Sequence, residues 1–502
     1  MASGTLKKIK LNFLFGIIGQ AVTLVIGILI PRLFIISFGS DVNGYINSIN
    51  QIFVYISLLE AGVGAAASQA LYTPIGKGDK QKVNGILAAT NKFYTKTAVG
   101  YSLIVLALGF VYPLLIKSTL PYYLMVSNFL ITGGSGVVAY FCHAKYKILL
   151  GVDGREYVTS IIATVYQVFL SVGKAVLLFV GCNVIIVQSL YLALNILQAI
   201  LFTIYIKRNY KWLDLRVQPD FKSISKSKSV LIHQISALIF NNTDVLILTF
   251  FCDLKSASIY VLYKNLISLI STLINHFSNS INFRMGQIFG QRERFIKLHD
   301  VYETFHITLT FSLCTITYMF FVPFLALYTE GMDANYLLTY MPLLVVSVEI
   351  LSYMRIPSQN VIIYAGHFKE TQWRSLLESA INLVLSLALV YFLGIYGVLI
   401  GTVVALLYRA NDIILYSNHK ILNRSAFPVY RTVIVNVVWG CLAVFLFNML
   451  PLHLDNYVSV ILTAIVVCII MVPAQLAVNF LIHKKAGSSL LEFLRNVKQL
   501  RR

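Results

Sequence analysis

Apolar side chains occur in long runs, such as Leu11 to Ile36 and Val458 to Ile482, separated by short polar segments. A helix crossing a bilayer needs ~20 predominantly apolar residues. Against that length the chain predicts fourteen spans, beginning near Leu11, Gly44, Ile86, Leu120, Tyr157, Asn183, Ser229, Ser256, Val301, Asn335, Thr371, Gly397, Val429 and Asn456. The run after Lys10 is too long for the apolar core of a cleaved signal and predicts a first helix that stays. Polar positions inside the spans follow a helical period. On the eighth span Lys264, Ser268, Ser271, Asn275, Ser278, Asn279 and Asn282 recur at steps of three and four, which puts them on one face. The second span carries Asn47, Asn50, Ser57, Glu60 and Gly64 at compatible steps. Polar side chains are costly in the bilayer, so stripes this long predict cavity-lining faces, with hydrogen bonding between packed helices as the competing explanation.

The connections carry the orientation. Lys and Arg concentrate on the cytoplasmic side of membrane proteins. Thirty of the 40 here fall in one alternating set, from Lys7 to Lys10, Lys77 to Lys82, Lys145 to Arg155, Lys207 to Lys228, Arg292 to Lys297, Lys369 to Arg374, Lys420 to Arg431 and Lys484 to Arg502. The other set holds Lys117 and Lys255, with Asp41, Asp253, Glu330, Asp333 and Asp455. Both termini are therefore expected in the cytoplasm.

The chain also repeats. Phe38-Gly39-Ser40-Asp41 ahead of Tyr45 and Asn50 is echoed by Phe251-Cys252-Asp253 ahead of Tyr260 and Asn265. Gly151 with Glu156 matches Gly366 with Glu370, and Gly181 matches Gly394, at nearly the same offset. Six spans separate equivalent points, so the copies share one orientation and a pseudo-two-fold axis along the membrane normal is expected. The expected fold is an all-α polytopic membrane protein. It comprises a lobe over 1–207, a cytoplasmic linker over 208–228, a second lobe over 229–422, and two further helices with a basic tail over 423–502.

Composition narrows the function. Only 12% of residues are charged and 58% are hydrophobic, with mean hydropathy +0.77. Soluble domains carry about twice that charge, which excludes a soluble enzyme and a disordered chain. The net charge of +20 is spread in short clusters rather than over one polar face, which argues against nucleic acid as a partner. Six cysteines show no metal or disulfide spacing, and no phosphate loop or catalytic triad is visible, so no cofactor or metal is expected. Eight cations fall within spans: Arg32, Lys92, Lys96, Lys174, Lys264, Arg284, Arg355 and Arg409. Lys92, Lys96 and Arg284 sit near span ends, where snorkelling is the alternative to function. Arg409 has Asp412 three residues on and suits a structural pair. Arg32 follows Pro31 and Arg355 precedes Pro357 by two, and bent helices could aim both inward. For Arg32 the competing reading is interfacial anchoring, for Arg355 a pair with Glu349. Intramembrane carboxylates are fewer, namely Glu60, Asp244, Glu349 and Glu378. A central cavity would then carry positive potential and favour an anion. Candidate substrate-binding residues are Arg32, Lys264, Arg355, Glu60, Ser268, Ser271, Asn275 and Asn279.

Six plus six plus two spans, a basic start before a helix ending Pro31-Arg32, and Phe38-Gly39 to Gly44-Tyr45 followed by Glu60-Ala61-Gly62-Val63-Gly64 resemble the polysaccharide flippases. These belong to the multidrug/oligosaccharidyl-lipid/polysaccharide exporter (MOP) superfamily. The resemblance covers nearly the whole chain. It implies alternating access and transfer of an undecaprenyl-diphosphate-linked oligosaccharide across a bacterial cytoplasmic membrane, within membrane lipid and alongside a polysaccharide polymerase and glycosyltransferases. A lipid II flippase and a cation-coupled multidrug extruder are the alternatives. An extruder would hold coupling carboxylates in its first lobe, and the first span has none. The orientation is testable. In a cysteine-free background, Ser225→Cys should resist a membrane-impermeant thiol reagent on intact cells and react after permeabilisation. Labelling from outside would refute the topology.

Overall fold

The computed structural model describes residues 2–60, 63–224, 228–483 and 487–488. Ala61 and Gly62 of the glycine-rich motif, Lys226 and the tail cations Lys484, Lys485, Arg495, Lys498, Arg501 and Arg502 lie outside the described residues. Among the described residues the chain is all-helical. The helices are α1 (2–38), α2 (described over 40–60 and Val63–Lys77), α3 (Lys80–Leu115), α4 (Tyr122–Val152), α5 (Glu156–Phe179), α6 (Val184–Asn209) and α7 (Lys228–Phe251). They continue as α8 (Leu254–Ile288), α9 (Arg292–Tyr328), α10 (Met341–Ala365), α11 (Phe368–Leu393), α12 (Ile395–Ile421), α13 (Phe427–Met449) and α14 (Tyr457–Ile482). Each corresponds to one expected span. Twelve described helices are long and apolar enough to cross a membrane, the Ile26–Ile56 stretch being shared by α1 and α2, and α7 adds a shorter apolar stretch, Leu238–Phe251.

Helices outrun the expected spans. α9 has 37 residues, or ~55 Å at about 1.5 Å per residue against a hydrocarbon layer of ~30 Å. Cations assigned to connections therefore ride on helix ends. Lys145 and Lys147 lie within α4, and the buried Lys145 donates from Nζ to Asn91 Oδ1 at 2.7 Å and to the Phe141 carbonyl at 3.1 Å.

The chain divides into two compact units, residues 1–261 with 332–334, and 262–331 with 335–502. In the first unit α1 and α2 part at Gly39, whose φ of 84° is one that side-chain-bearing residues rarely adopt. The break leaves the first N–H groups of α2 open, and Asp333 accepts from Ser40 N at 3.0 and 3.1 Å and from Ser40 Oγ at 2.6 Å. Burial pushes the Asp333 carboxyl up, but these bonds outweigh it and hold it below the usual carboxylate range. The segment expected as a linker is docked. Tyr210 donates to Asp153 Oδ2 at 2.7 Å, and Asp220 N donates to the Gly85 carbonyl at 3.0 Å.

In the second unit α13 and α14 are joined to α9 by a buried polar ladder. Ser312 donates to Gln475 Oε1 at 2.7 Å, Gln475 Nε2 to Asn436 Oδ1 at 2.7 Å, and Asn479 Nδ2 to the same oxygen at 3.0 Å. Ile316, Met319, Phe320, Val460 and Met471 pack around it.

The repeat reappears in the backbone. Positive φ recurs at Gly154 (69°) and Gly366 (72°), and at Gly181 (78°) and Gly394 (55°), so the first of these pairs starts from Gly154 rather than Gly151. α4 widens into a π turn at Ala139–His143, and α10 is interrupted at the corresponding place, between Met354 and Ile356. One contact gives a stability test. A Cβ on Gly44 would lie 1.9 Å from the Leu254 carbonyl oxygen, whereas one on Gly27 meets nothing within 4 Å. Gly44→Ala should cost ~1–3 kcal/mol by forcing backbone apart, read as a lower thermal midpoint in detergent, with Gly27→Ala as the unchanged control.

Candidate functional site

The eighth-span stripe lies in the second unit and splits into two edges. Lys264, Ser268, Asn275 and Asn279 are exposed, while Ser271 and Ser278 are buried. The buried edge is tied to neighbouring helices. Ser271 donates to Glu349 Oε2 at 2.8 Å, Ser278 and Tyr302 share a hydrogen bond at 2.7 Å, and Asn282 accepts from Tyr364. Helix-to-helix hydrogen bonding thus accounts for this edge. The exposed edge keeps a row of a cation, a hydroxyl and two amides, of which Asn275 donates to the Tyr353 hydroxyl at 3.0 Å. Glu349 is near enough to Lys264 for the two charges to interact.

Arg355 sits in the interruption of α10, where Pro357 at the start of the next segment cannot supply a backbone donor. Its Nη1 donates to Glu378 Oε1 at 2.8 Å, so its partner is Glu378 on α11 rather than Glu349. The other oxygen of Glu378 meets Arg409 Nε at 3.3 Å, Arg409 Nη1 meets Asp412 Oδ2 at 2.7 Å, and Arg374 also pairs with Asp412. The expected Arg409–Asp412 pair is therefore present, inside a larger chain of three cations and two carboxylates. Arg355 Nε is buried without a hydrogen-bond partner.

A second charged cluster, His299, Asp300 and Glu303 on α9, has the spacing of a metal site. The Arg424 guanidinium occupies it, pairing with Asp300 and with Glu303 Oε2 at 3.0 Å, which leaves it a structural ion pair.

In the first unit Arg32 is half-buried on α1, and Asp244 accepts from the Tyr260 hydroxyl at 2.6 Å. Glu60 ends a 3-10 turn within α2 and accepts from the Tyr94 hydroxyl at 3.0 Å. It opens onto a cavity of about 400 Å³ that is also lined by Ser68, Tyr94, Tyr101, Tyr140, His143 and Lys147. Of these only Glu60 was anticipated as a site residue. Tyr140, His143 and Lys147 at steps of three and four carry the signal that could have found the others. Gly133 and Gly136 on α4 serve close packing, since a Cβ would meet Val105 at 2.5 Å and the Tyr101 hydroxyl at 2.4 Å respectively.

No family model matches the sequence, and no curated protein does. Solved structures share the fold. A lipid II flippase, MurJ, in an inward closed conformation superposes with a TM-score of 0.63 at 16% identity, over 91% of this chain and 97% of that one. An inward-facing multidrug resistance MATE family transporter of the MOP superfamily gives 0.57 at 16%, over 86% and 96%. A MOP superfamily transporter from Pyrococcus furiosus gives 0.51 at 16%, over 89% and 97%. At these identities the likeness carries the architecture, and this chain has the fold of the MOP-superfamily transporters.

Proposed function

We propose that the protein is a flippase that moves an undecaprenyl-diphosphate-linked oligosaccharide from the cytoplasmic to the outer leaflet of a bacterial cytoplasmic membrane by alternating access, during polysaccharide biosynthesis. The observation that carries this reading is the exposed edge of α8, where Lys264 heads a row of Ser268, Asn275 and Asn279. A diphosphate keeps its charge at physiological pH and gains most from Lys or Arg where water is scarce. Hydroxyls and amides can exchange hydrogen bonds with a passing glycan while the lipid tail stays in the bilayer. Both termini are cytoplasmic in this proposal, and the polymerase and glycosyltransferases of the same assembly line are its partners.

Arg32 and Lys264 are the proposed diphosphate contacts, joined by Arg355. Arg355 can turn toward an anion without stranding Glu378, because Arg409 holds the other carboxylate oxygen. Its unpaired Nε supplies a donor for the substrate. Ser271 contributes through the protein itself by fixing Glu349, and Glu60 contributes from the wall of the first-unit cavity.

Deletion should accumulate the lipid-linked oligosaccharide on the cytoplasmic leaflet. Accumulation of lipid II in its place would move the assignment to that substrate. Arg355→Gln should lower export by about 10-fold or more, as expected from losing a charge-assisted hydrogen bond of ~1.5 kcal/mol or above. Arg355→Lys should keep part of the activity because the charge stays while the fork is lost. Normal export by an Arg32→Gln, Lys264→Gln, Arg355→Gln triple variant at normal abundance would sink the diphosphate assignment. The stripe has its own check. Cysteine at Ser268 or Asn275 should react with a small aqueous thiol reagent, and cysteine at the fully buried Ile274 should not. Equal rates at all three positions would remove the water-accessible edge.

A further inference from the structure

Two departures from α-helical geometry build the cavity in the first unit. α2 tightens into its 3-10 turn at Ser57–Glu60, and α4 widens into the π turn at Ala139–His143. A π turn changes the register of the residues beyond it, and such turns are frequent at functional sites. Here it contributes Tyr140 and His143 to the cavity wall, and Lys147 follows one turn later.

Four observations define what could occupy the space. His143 is only 2% exposed, lines the cavity, and has no hydrogen-bond partner on either ring nitrogen, although its ring stacks on Phe202 at 5.4 Å. Buried polar atoms are nearly always satisfied, so an imidazole lacking both a donor and an acceptor partner points to a ligand that supplies both. The second observation is charge balance: the Glu60 carboxylate and the Lys147 ammonium act on one another across the same space. A cation would be repelled by Lys147 and an anion by Glu60, while an apolar molecule would leave the Glu60 carboxylate without a solvating partner. Third, Tyr94, Tyr101 and Tyr140 bring hydroxyls and ring faces together, with ring centroids 6.1 Å apart for Tyr94–Tyr140 and 5.3 Å for Tyr101–Tyr140. Finally, about 400 Å³ falls in the usual range for small-molecule sites.

A neutral molecule with many hydroxyls and an apolar ring face meets all four. We propose that this cavity is a saccharide subsite that takes one neutral hexopyranose unit. This rests on the reading that the transported molecule carries a glycan. Glu60 accepts from sugar hydroxyls through the lone pairs that the Tyr94 and Tyr140 hydroxyls leave unused, Lys147 donates to a ring or hydroxyl oxygen, and His143 both donates and accepts. The tyrosine rings cover the sugar's C–H face.

The test uses purified full-length protein in nanodiscs, with the native cysteines removed and Ser68→Cys placed on the cavity wall. Labelling of that cysteine by a small maleimide is followed with and without methyl α-glucoside, methyl α-galactoside, methyl α-mannoside or N-acetylglucosamine, with sorbitol as the polyol control. At least one of the four should slow labelling several-fold at millimolar concentration while sorbitol does not, and Glu60→Gln and Lys147→Met should each remove the protection. Absence of protection by all four overturns the proposal. So does protection by sodium or acetate ions instead of sugar, which would make this an ion site, and so does protection that survives both substitutions. The readout is binding by the isolated protein. Loss of protection with export intact therefore removes this inference alone, and failure of the lipid-linked intermediate to accumulate removes the transport reading while leaving the binding result in place.

Discussion

A polar group inside hydrocarbon has no water to bond with, and the main interior contacts of this fold come from finding such groups partners. The chain linking Arg355, Glu378, Arg409, Asp412 and Arg374 is the clearest case. Each carboxylate lies between two guanidinium groups, so neither is bare in a region where one unpaired charge costs ~3–5 kcal/mol. The same constraint explains why the amides on α13 and α14 face α9. Asn436, Gln475 and Asn479 are fully buried and bonded to one another, with Gln475 also held by Ser312 and Asn436 donating to the Thr432 carbonyl. Two helices that look appended in the chain are thereby fastened to the second unit.

Helix irregularity and polar chemistry coincide for a related reason. A regular helix satisfies its own backbone and leaves a polar side chain only the neighbouring helices to bond. Where the ladder opens, as at the 3-10 turn ending in Glu60, the π turn at Ala139–His143 and the interruption at Arg355, side chains can take directions that a regular helix denies them. Two of these three openings fall at corresponding places in the repeat. An interruption at that depth is thus a property of the repeated element, which each copy has furnished differently: α4 with Tyr140 and His143, α10 with Arg355.

The spans were legible because a run of ~20 apolar residues has few other uses, and the α1–α2 break was legible at Phe38-Gly39. The length of the helices was not. A basic end such as Lys145 to Val152 reads as a connection, yet its backbone continues as helix, and Lys145 finds Asn91 as a partner from a distant part of the chain. The partner of Arg355 was misleading for a geometric reason. Glu349 is six residues away, which at about 100° per residue places it well around the helix from Arg355. It therefore turns to Ser271, while Glu378, 23 residues off on another helix, receives the arginine. The π turn in the first unit leaves no mark in hydropathy, so only the spacing of Tyr140, His143 and Lys147 points to the cavity it lines.

Those pairings bear on how a flippase could bind a diphosphate and still let it go. A fully solvated arginine would hold the anion weakly, and a desolvated, unpaired one would be too costly to keep. An arginine at the end of a neutralising chain avoids both extremes. In the proposed reading Arg355, largely out of water and already paired, would give up little hydration to an arriving anion, which would share it with Glu378. Glu378 would in turn be left with Arg409, so that charge would be redistributed along the chain rather than exposed at any member. Release would follow the same steps in reverse. Binding strength is then set by the difference between two partners for one guanidinium, a quantity small enough for a transport cycle to overcome.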